Sequence, residues 1–301
     1  MEYILLVFTM FLGGARSILT KTLNKSEKSF YDALKTNAYV FVFAFIIVLV
    51  LGISSLGTIF QVPWWLALVY AVSMVLAQVC LMKAVELGPV STSSFIYYCG
   101  FIVALLFGSI YYKEKVNALH IIGILLIIVS FVCSVKKEEK KMSALWAVAS
   151  FGGFLFGGAM GIWQKIFRYE YTEYNLDNFM QVAFLLMIIF SFLLTILARL
   201  TKTKENSVDE GLERTAVSNR KKIGLIATLG VSMGLINIIN TFLAGALPSV
   251  IVFPCIYGGG IIATSILSLL ILKEKITKKQ WCSLWIGILG IVFIGVGATL
   301  V

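Results

Sequence analysis

Ten runs of about 20 predominantly apolar residues follow one another along the chain, at 3–22, 34–55, 63–84, 90–112, 117–135, 143–164, 177–199, 222–245, 248–271 and 281–300. Each run is continuous rather than alternating, so none carries the period-two pattern of a half-buried strand. As a helix, each is long enough to cross about 30 Å of hydrocarbon. In lipid every backbone N–H and C=O must bond internally, which leaves helices or closed barrels, and barrel strands alternate. The pattern predicts an all-α integral membrane protein with ten transmembrane helices.

The pattern also repeats. Residues 87–114 return 160 positions later as 247–274, with Leu87, Val90, Ile96, Tyr97, Gly100, Lys113, Glu114 and Lys115 falling on Leu247, Val250, Ile256, Tyr257, Gly260, Lys273, Glu274 and Lys275. Upstream, at an offset of 144, 13–21 (GGARSILTK) matches 157–165 (GGAMGIWQK) at five of nine places. The chain therefore divides into five-helix repeats at 1–142 and 143–301, the second interrupted by a polar loop at 200–221. A unit of this size is too long for a solenoid and fits the internal repeats of secondary transporters.

Composition agrees with a membrane chain. At 59% hydrophobic and 13% charged, with a mean hydropathy of +0.95, too little polar surface remains to coat a soluble globule of 301 residues. The net charge of +10 raises nucleic acid as a partner, but the basic residues are sorted by loop. Twenty lie after the odd-numbered runs: Lys21, Lys25, Lys28 and Lys35; Lys83; Lys136, Lys137, Lys140 and Lys141; Arg199, Lys202, Lys204, Arg214, Arg220, Lys221 and Lys222; Lys273, Lys275, Lys278 and Lys279. Four lie on the other face: Lys113, Lys115, Lys165 and Arg168. The positive-inside rule puts the rich face in the cytoplasm and both termini outside, and five helices per repeat then make the halves inverted. The partner this sorting implies is a lipid bilayer, not nucleic acid. The first run opens with Glu2 rather than a basic region and has a copy in mid-chain, so it reads as a retained helix rather than a signal peptide. The five cysteines form no CxxC pair and read as free apolar thiols.

Two duplicated motifs carry a family resemblance over the whole chain. One is a Gly seven residues before a Lys in the first helix of each half (Gly14 and Lys21; Gly158 and Lys165). The other is a Lys-Glu-Lys box at the end of the fourth helix, followed by small residues nine and sixteen positions after its Glu (Glu114, Gly123, Ser130; Glu274, Ser283, Gly290). In these the chain resembles the EamA-type transporters of the drug/metabolite transporter superfamily. The family's usual Trp before the first-helix Gly is replaced by Gly13 and Gly157, and the residue two places after that Gly is Arg16 in one half and Met160 in the other. The resemblance implies a central cavity between the halves, lined mainly by helices one, three, four, six, eight and nine and opening alternately to either side.

The residue types nominate groups for such a cavity. A guanidinium inside a membrane helix costs roughly 2.5–3.5 kcal/mol and faces a cavity or a partner, which singles out Arg16; the alternative is snorkelling toward the headgroups near Lys21. Gln78, Asn237 and Asn240 must point inward, either to a substrate or to a neighbouring helix. Trp163 and Gln164 supply a flat apolar wall and an amide, beside a Gly153, Gly157, Gly161 stripe suited to tight packing. Ser94, Tyr97, Tyr98 and Tyr257 complete the candidate substrate-binding set. Pro254, followed by Gly258, Gly259 and Gly260, is a candidate hinge. Glu86 near Lys83 reads as a solvated ion pair, Glu114 and Glu274 as structural members of interfacial boxes, and His120 as a structural residue.

With one His, no HExxH, no GxSxG, no clustered metal ligands and no P-loop, neither catalysis, a resident cofactor nor ATP coupling is expected. The favoured reading is a secondary-active carrier of a small polar metabolite, an amino acid or organic acid whose carboxylate meets Arg16, with a coupling proton or ion, working in the cell membrane as a monomer or homodimer. Proton-coupled efflux of hydrophobic cations is the alternative, yet no carboxylate lies deep in any run. A non-transporting scaffold is the third reading, with only 200–221 as an exposed polar segment.

Overall fold

The computed structural model describes residues 1–24, 29–135, 143–200, 219–272 and 278–300. Most of the polar loop 200–221, the box containing Glu274 and the loop lysines from Lys136 to Lys141 lie outside the described residues. The helices are α1 (Glu2–Asn24), α2 (Phe30–Leu51), α3 (Trp64–Leu87), α4 (Val90–Tyr98), α5 (Phe101–Tyr111), α6 (Ala118–Ser134), α7 (Ala144–Glu170), α8 (Leu176–Leu200), α9 (Asn219–Ala246), α10 (Ser249–Leu272) and α11 (Lys278–Ala298). Among the described residues, nine segments are long and apolar enough to cross a membrane, one of them α4 and α5 together; α6 is apolar but shorter.

Local chemistry sets where several helices begin and end. The Ser29 side chain caps α2 by accepting from Asp32 N–H, so the helix starts four residues before the apolar run, and Gly52 closes it. A 3₁₀ turn, Ile53–Thr58, follows where the run was expected to continue as α-helix. It is pinned to α8, because Asn178 Nδ2 donates to Thr58 O at 2.8 Å and Gln181 Nε2 to Gly52 O at 2.9 Å. Asn117 and His120 form a capping box at the start of α6, which gives the buried His120 its structural role.

The fourth apolar run is not one uniform helix. It tightens at Cys99 and Gly100, where Gly100 N–H bonds to Tyr97 O and Val103 N–H to Gly100 O, both at 3.0 Å. These i to i−3 bonds are those of a 3₁₀ turn. The cause is the neighbour: a Cβ on Gly100 would lie 2.7 Å from Phe154 O, and one on Gly158 only 2.4 Å from Gly100 O. Two backbones therefore cross almost in contact where α7 meets the α4–α5 junction. By contrast Pro254, the expected hinge, sits inside an unbroken α10.

Side chains pack into two main cores. One joins α2, α3, α8 and α9 around Phe41, Tyr70, Phe179, Phe184 and Met233; the other joins α5, α6, α9, α10 and α11 around Phe101, Ile127, Val250, Phe253 and Ile294. Helices α6 and α11 close on each other through the small residues that the family motif repeats. A Cβ on Gly123 would meet Gly290 O at 2.6 Å. One helical stretch further on, Ser130 Oγ donates to Ser283 O at 2.7 Å and Ser283 Oγ to Ser130 O at 2.8 Å. Outside the cores, large apolar side chains such as Val148 and Ile110 stand exposed at 69% and 75%, which suits hydrocarbon and not water.

Gly290→Ala puts a Cβ 2.8 Å from Gly123 O, whereas a Cβ on Gly295 meets nothing within 4 Å. The first substitution is expected to destabilise by about 1–3 kcal/mol, as overpacking does. Gly295→Ala is expected to be neutral or stabilising, since Ala outranks Gly in helices. Thermal unfolding in detergent checks the contrast.

Candidate substrate site

Polar side chains of six helices converge where the first core, through Tyr70, comes near Tyr257 on the flank of the second. The hub is Tyr70 on α3, fully buried, whose hydroxyl donates to Asn237 Oδ1 on α9 at 2.6 Å and accepts from Gln164 Nε2 on α7 at 3.1 Å. Asn237 Nδ2 in turn donates to Met233 O at 2.8 Å. On the same side of α7, Trp163 Nε1 donates to Ser73 Oγ at 2.9 Å. Gln164, Trp163 and Asn237 are thus engaged with neighbouring helices, the use that the sequence left open for Asn237.

An aromatic wall adjoins this hub. Tyr97 and Tyr98 rings meet at 5.7 Å, Tyr98 and Tyr257 at 6.3 Å, and Tyr257 lies within electrostatic reach of Tyr70. The glycine stripe of α7 makes room for it: Gly153 and Gly157 face the Tyr97 ring at ordinary contact distance, and Tyr257 OH donates to Gly157 O at 3.3 Å. Gly161 instead receives Ala104 and Phe253.

Arg16 approaches the wall from α1. It is half-buried, within electrostatic reach of Tyr97 and Tyr98, and its Nε is buried with no hydrogen-bond partner. A buried donor left unpaired costs about 1–3 kcal/mol, and more when it is charged. One residue on, Ser17 Oγ and Tyr98 OH lie 3.4 Å apart at the edge of a cavity of about 170 Å³, lined also by Ser134, Ile261, Thr264, Ser265 and Gln280. Asn240 Oδ1 is likewise buried without a partner. Gln78 and Ser94 are half-buried; Gln78 lies two turns along α3 from Tyr70, and it is Ser93, not Ser94, that bonds a neighbouring helix, accepting from Trp146 Nε1 at 2.9 Å. On α10, Gly258 and Gly259 are buried against Ile127 and Met10, and Gly260 faces open space.

Sequence reasoning missed Tyr70, one aromatic residue in the middle of an apolar run. It also placed Glu114 and Lys165 at the interface. Instead Lys165 is 0% exposed and the Glu114 side chain 7%. Lys165 Nζ pairs with Glu114 Oε1 at 2.5 Å, donates to Leu247 O at 3.1 Å and sits over the Tyr169 ring. Glu114 Oε2 accepts from Ser249 N–H at 2.8 Å, at the start of α10. The only signal for this was the duplication of both residues. Beside the pair, outside the spans, Tyr112 donates to Glu170 Oε1 at 2.9 Å; burial, and then that carboxylate, hold its phenol above the usual tyrosine range. The pair of Lys83 and Glu86, at 2.8 Å, is solvated as expected.

Among the described residues no group of three or more His, Cys, Asp or Glu side chains converges as metal ligands would. What the site offers is a cation, phenols and amides set in apolar walls.

Residues 1–136 match the family model described as EamA-like transporter family. The similarity to that family lies in this first segment, a little under half of the 301 residues. This EamA-like protein is a multi-pass membrane protein. Twenty-nine chains of solved structures match it; one, described only as the crystal structure of a protein, is 12% identical, covers 98% of this chain and 97% of its own, and has a TM-score of 0.74. That likeness concerns the fold. No curated protein matches the EamA-like chain.

Tyr70→Phe keeps the ring but strands Asn237 Oδ1 and Gln164 Nε2. The loss is expected to be about 1–3 kcal/mol, the cost of buried polar groups left unmet. A lower thermal midpoint in detergent for Tyr70→Phe than for the parent checks it.

Proposed function

We propose that the protein is a secondary-active carrier for a small polar metabolite bearing a carboxylate, an amino acid or organic acid, bound between the repeats 1–142 and 143–301. The observation that carries this is Arg16, a half-buried guanidinium with an unpaired Nε within electrostatic reach of the phenols of Tyr97 and Tyr98, the latter at the edge of a cavity that Ser17 also lines. A carboxylate supplies the missing acceptor through charge-assisted hydrogen bonds. Tyr97, Tyr98, Tyr257 and the free amide oxygen of Asn240 then choose among carboxylates.

Ten crossings in two inverted five-helix repeats fit the packing. Exchanging the halves turns α1 on α10 into α7 on α4 and α5, α3 on α7 into α9 on α1, and α2 on α9 into α8 on α3, while α2 with α8 and α6 with α11 map onto themselves. Gly14 presses on Ala263 and Thr264 of α10 as Gly158 presses on the α4–α5 junction. Such repeats alternate by exchanging conformations around a fixed central site. Charge sorting puts both termini outside the cell membrane.

Purified protein in detergent, heated with a panel of amino acids, organic acids, sugars, nucleosides and hydrophobic cations, tests the reading. A ligand at 100 times its Kd stabilises the folded state by about 2.7 kcal/mol. Carboxylates are expected to raise the midpoint of the parent and not of Arg16→Ala. Stabilisation by cations alone, or by acids on both proteins, rejects it.

A further inference from the structure

Among the described residues the exchange of the halves is not exact: α10 packs on α6 with no counterpart between α11 and α4 or α5, and a second departure lies on α7. Helix α7 packs on α9, yet among the described residues α1 makes no comparable contact with α3. The extra contact lies at one end of the bundle, where Arg168 fills the space that a side chain on Gly245 would need and stacks its guanidinium 5.9 Å from the Phe242 ring.

At that same end the fully buried Lys165 on α7 ties Glu114, beyond the end of α5, to Leu247 O between α9 and α10, and Glu114 reaches on to Ser249 N–H. Three helices that approach the central site are thereby pulled together by one cation and one carboxylate. Gly108 on α5 brings the contact closer still, since a Cβ there would strike Ser249 Oγ.

At the opposite end a cavity remains among the described residues, beside the close contact of Gly14 with Thr264. The cavity edged by Ser17, Tyr98, Ser134, Thr264, Ser265 and Gln280 opens beside the C-terminal half of α10, and Thr264 lies about 22 Å along that helix from Ser249 at 1.5 Å per residue. A bundle of exchangeable halves that is tight at one end and hollow at the other is in one of its two working states.

We infer that Lys165 and Glu114 form a charged latch that holds the outer end of the carrier shut while the cavity faces the cytoplasm, and that the transport cycle must break this pair to open outward. The inference rests on the carrier reading for its cycle and on charge sorting for its sides. Its chemistry is suited to a latch. A buried ion pair is held by its mutual attraction only while the geometry lasts, and once the partners separate each regains its hydration. An apolar contact of the same area has no such recovery when the end fills with water. The two main-chain partners, Leu247 O and Ser249 N–H, place the latch at the root of α10, so that its release frees the helix carrying Tyr257.

The test is thiol accessibility in intact cells, using Ser249→Cys as reporter in a chain whose five native cysteines are replaced. Ser249 is fully buried under the latch, so an impermeant maleimide reaches it only when the outer end opens. Glu114→Gln keeps shape and removes the charge; it is expected to speed labelling at least about tenfold, a population shift of the size a lost ion pair permits. Because Glu114→Gln leaves Lys165 unpaired and can impair folding, the double variant Glu114→Gln with Lys165→Met is measured beside it, a neutral pair of similar volume. Faster labelling in the double variant, with a monodisperse folded protein, supports the latch. Labelling at the parent rate in a folded double variant means that the pair is structural and overturns the inference. Label reaching the parent reporter readily from outside overturns it too. The assay uses no substrate, so its failure is distinct from failure of the ligand panel, which leaves Lys165 and Glu114 untouched.

Discussion

Every polar group inside this bundle must find a partner, because no water waits in the hydrocarbon to take its place. Several helix contacts meet that constraint by pairing polar side chains across them. Tyr70 bridges Gln164 and Asn237, Ser130 and Ser283 exchange hydrogen bonds with each other's carbonyls, Trp146 meets Ser93, and Lys165 meets Glu114. These bonds fix which helix faces which. Arg16 and Arg168 depart from the constraint, each a cation with a buried Nε that no protein atom satisfies; of the two, Arg16 is the one within electrostatic reach of Tyr97 and Tyr98.

Close backbone approach makes the pairing geometry possible. Glycines at 100, 123, 158 and 290 let the helix axes come near enough that short side chains such as serine can bond across the gap. On α7 the work is divided: Gly158 makes the helix crossing, while Gly153 and Gly157 face the ring of Tyr97. The polar set is continuous with both cores, Tyr70 belonging to one and Tyr98 and Tyr257 packing against the other.

Much of the fold was legible in the sequence because lipid demands long apolar helices. The run at 177–199 became Leu176–Leu200 and that at 248–271 became Ser249–Leu272. Duplicated motifs also pointed to the right places: the small residues after Glu114 do form the α6–α11 contact, and Tyr97 and Tyr257 do share one aromatic wall through Tyr98. What sequence could not supply was pairing over distance. Glu114 and Lys165 are 51 residues apart and each looks interfacial beside its own charged neighbours, yet packing brings them together and excludes water. Tyr70 gave no signal, since an aromatic in an apolar run is unremarkable until its hydroxyl finds two amides. The tightening at Cys99 and Gly100 was hidden for the same reason: it is imposed by α7, not by the local sequence. Pro254, the hinge candidate, lies inside α10, which runs from Ser249 to Leu272.

The central claim is that the unsatisfied guanidinium of Arg16 is a carboxylate anchor in a transport path. Its most direct test is flux: purified protein reconstituted in liposomes loaded with an unlabelled carboxylate, with entry of the same compound in labelled form followed over time. The account predicts counterflow for the parent, and loss of it in Arg16→Gln, which keeps the hydrogen-bonding reach without the charge. Counterflow by Arg16→Gln at the parent rate, or flux confined to hydrophobic cations, would contradict it.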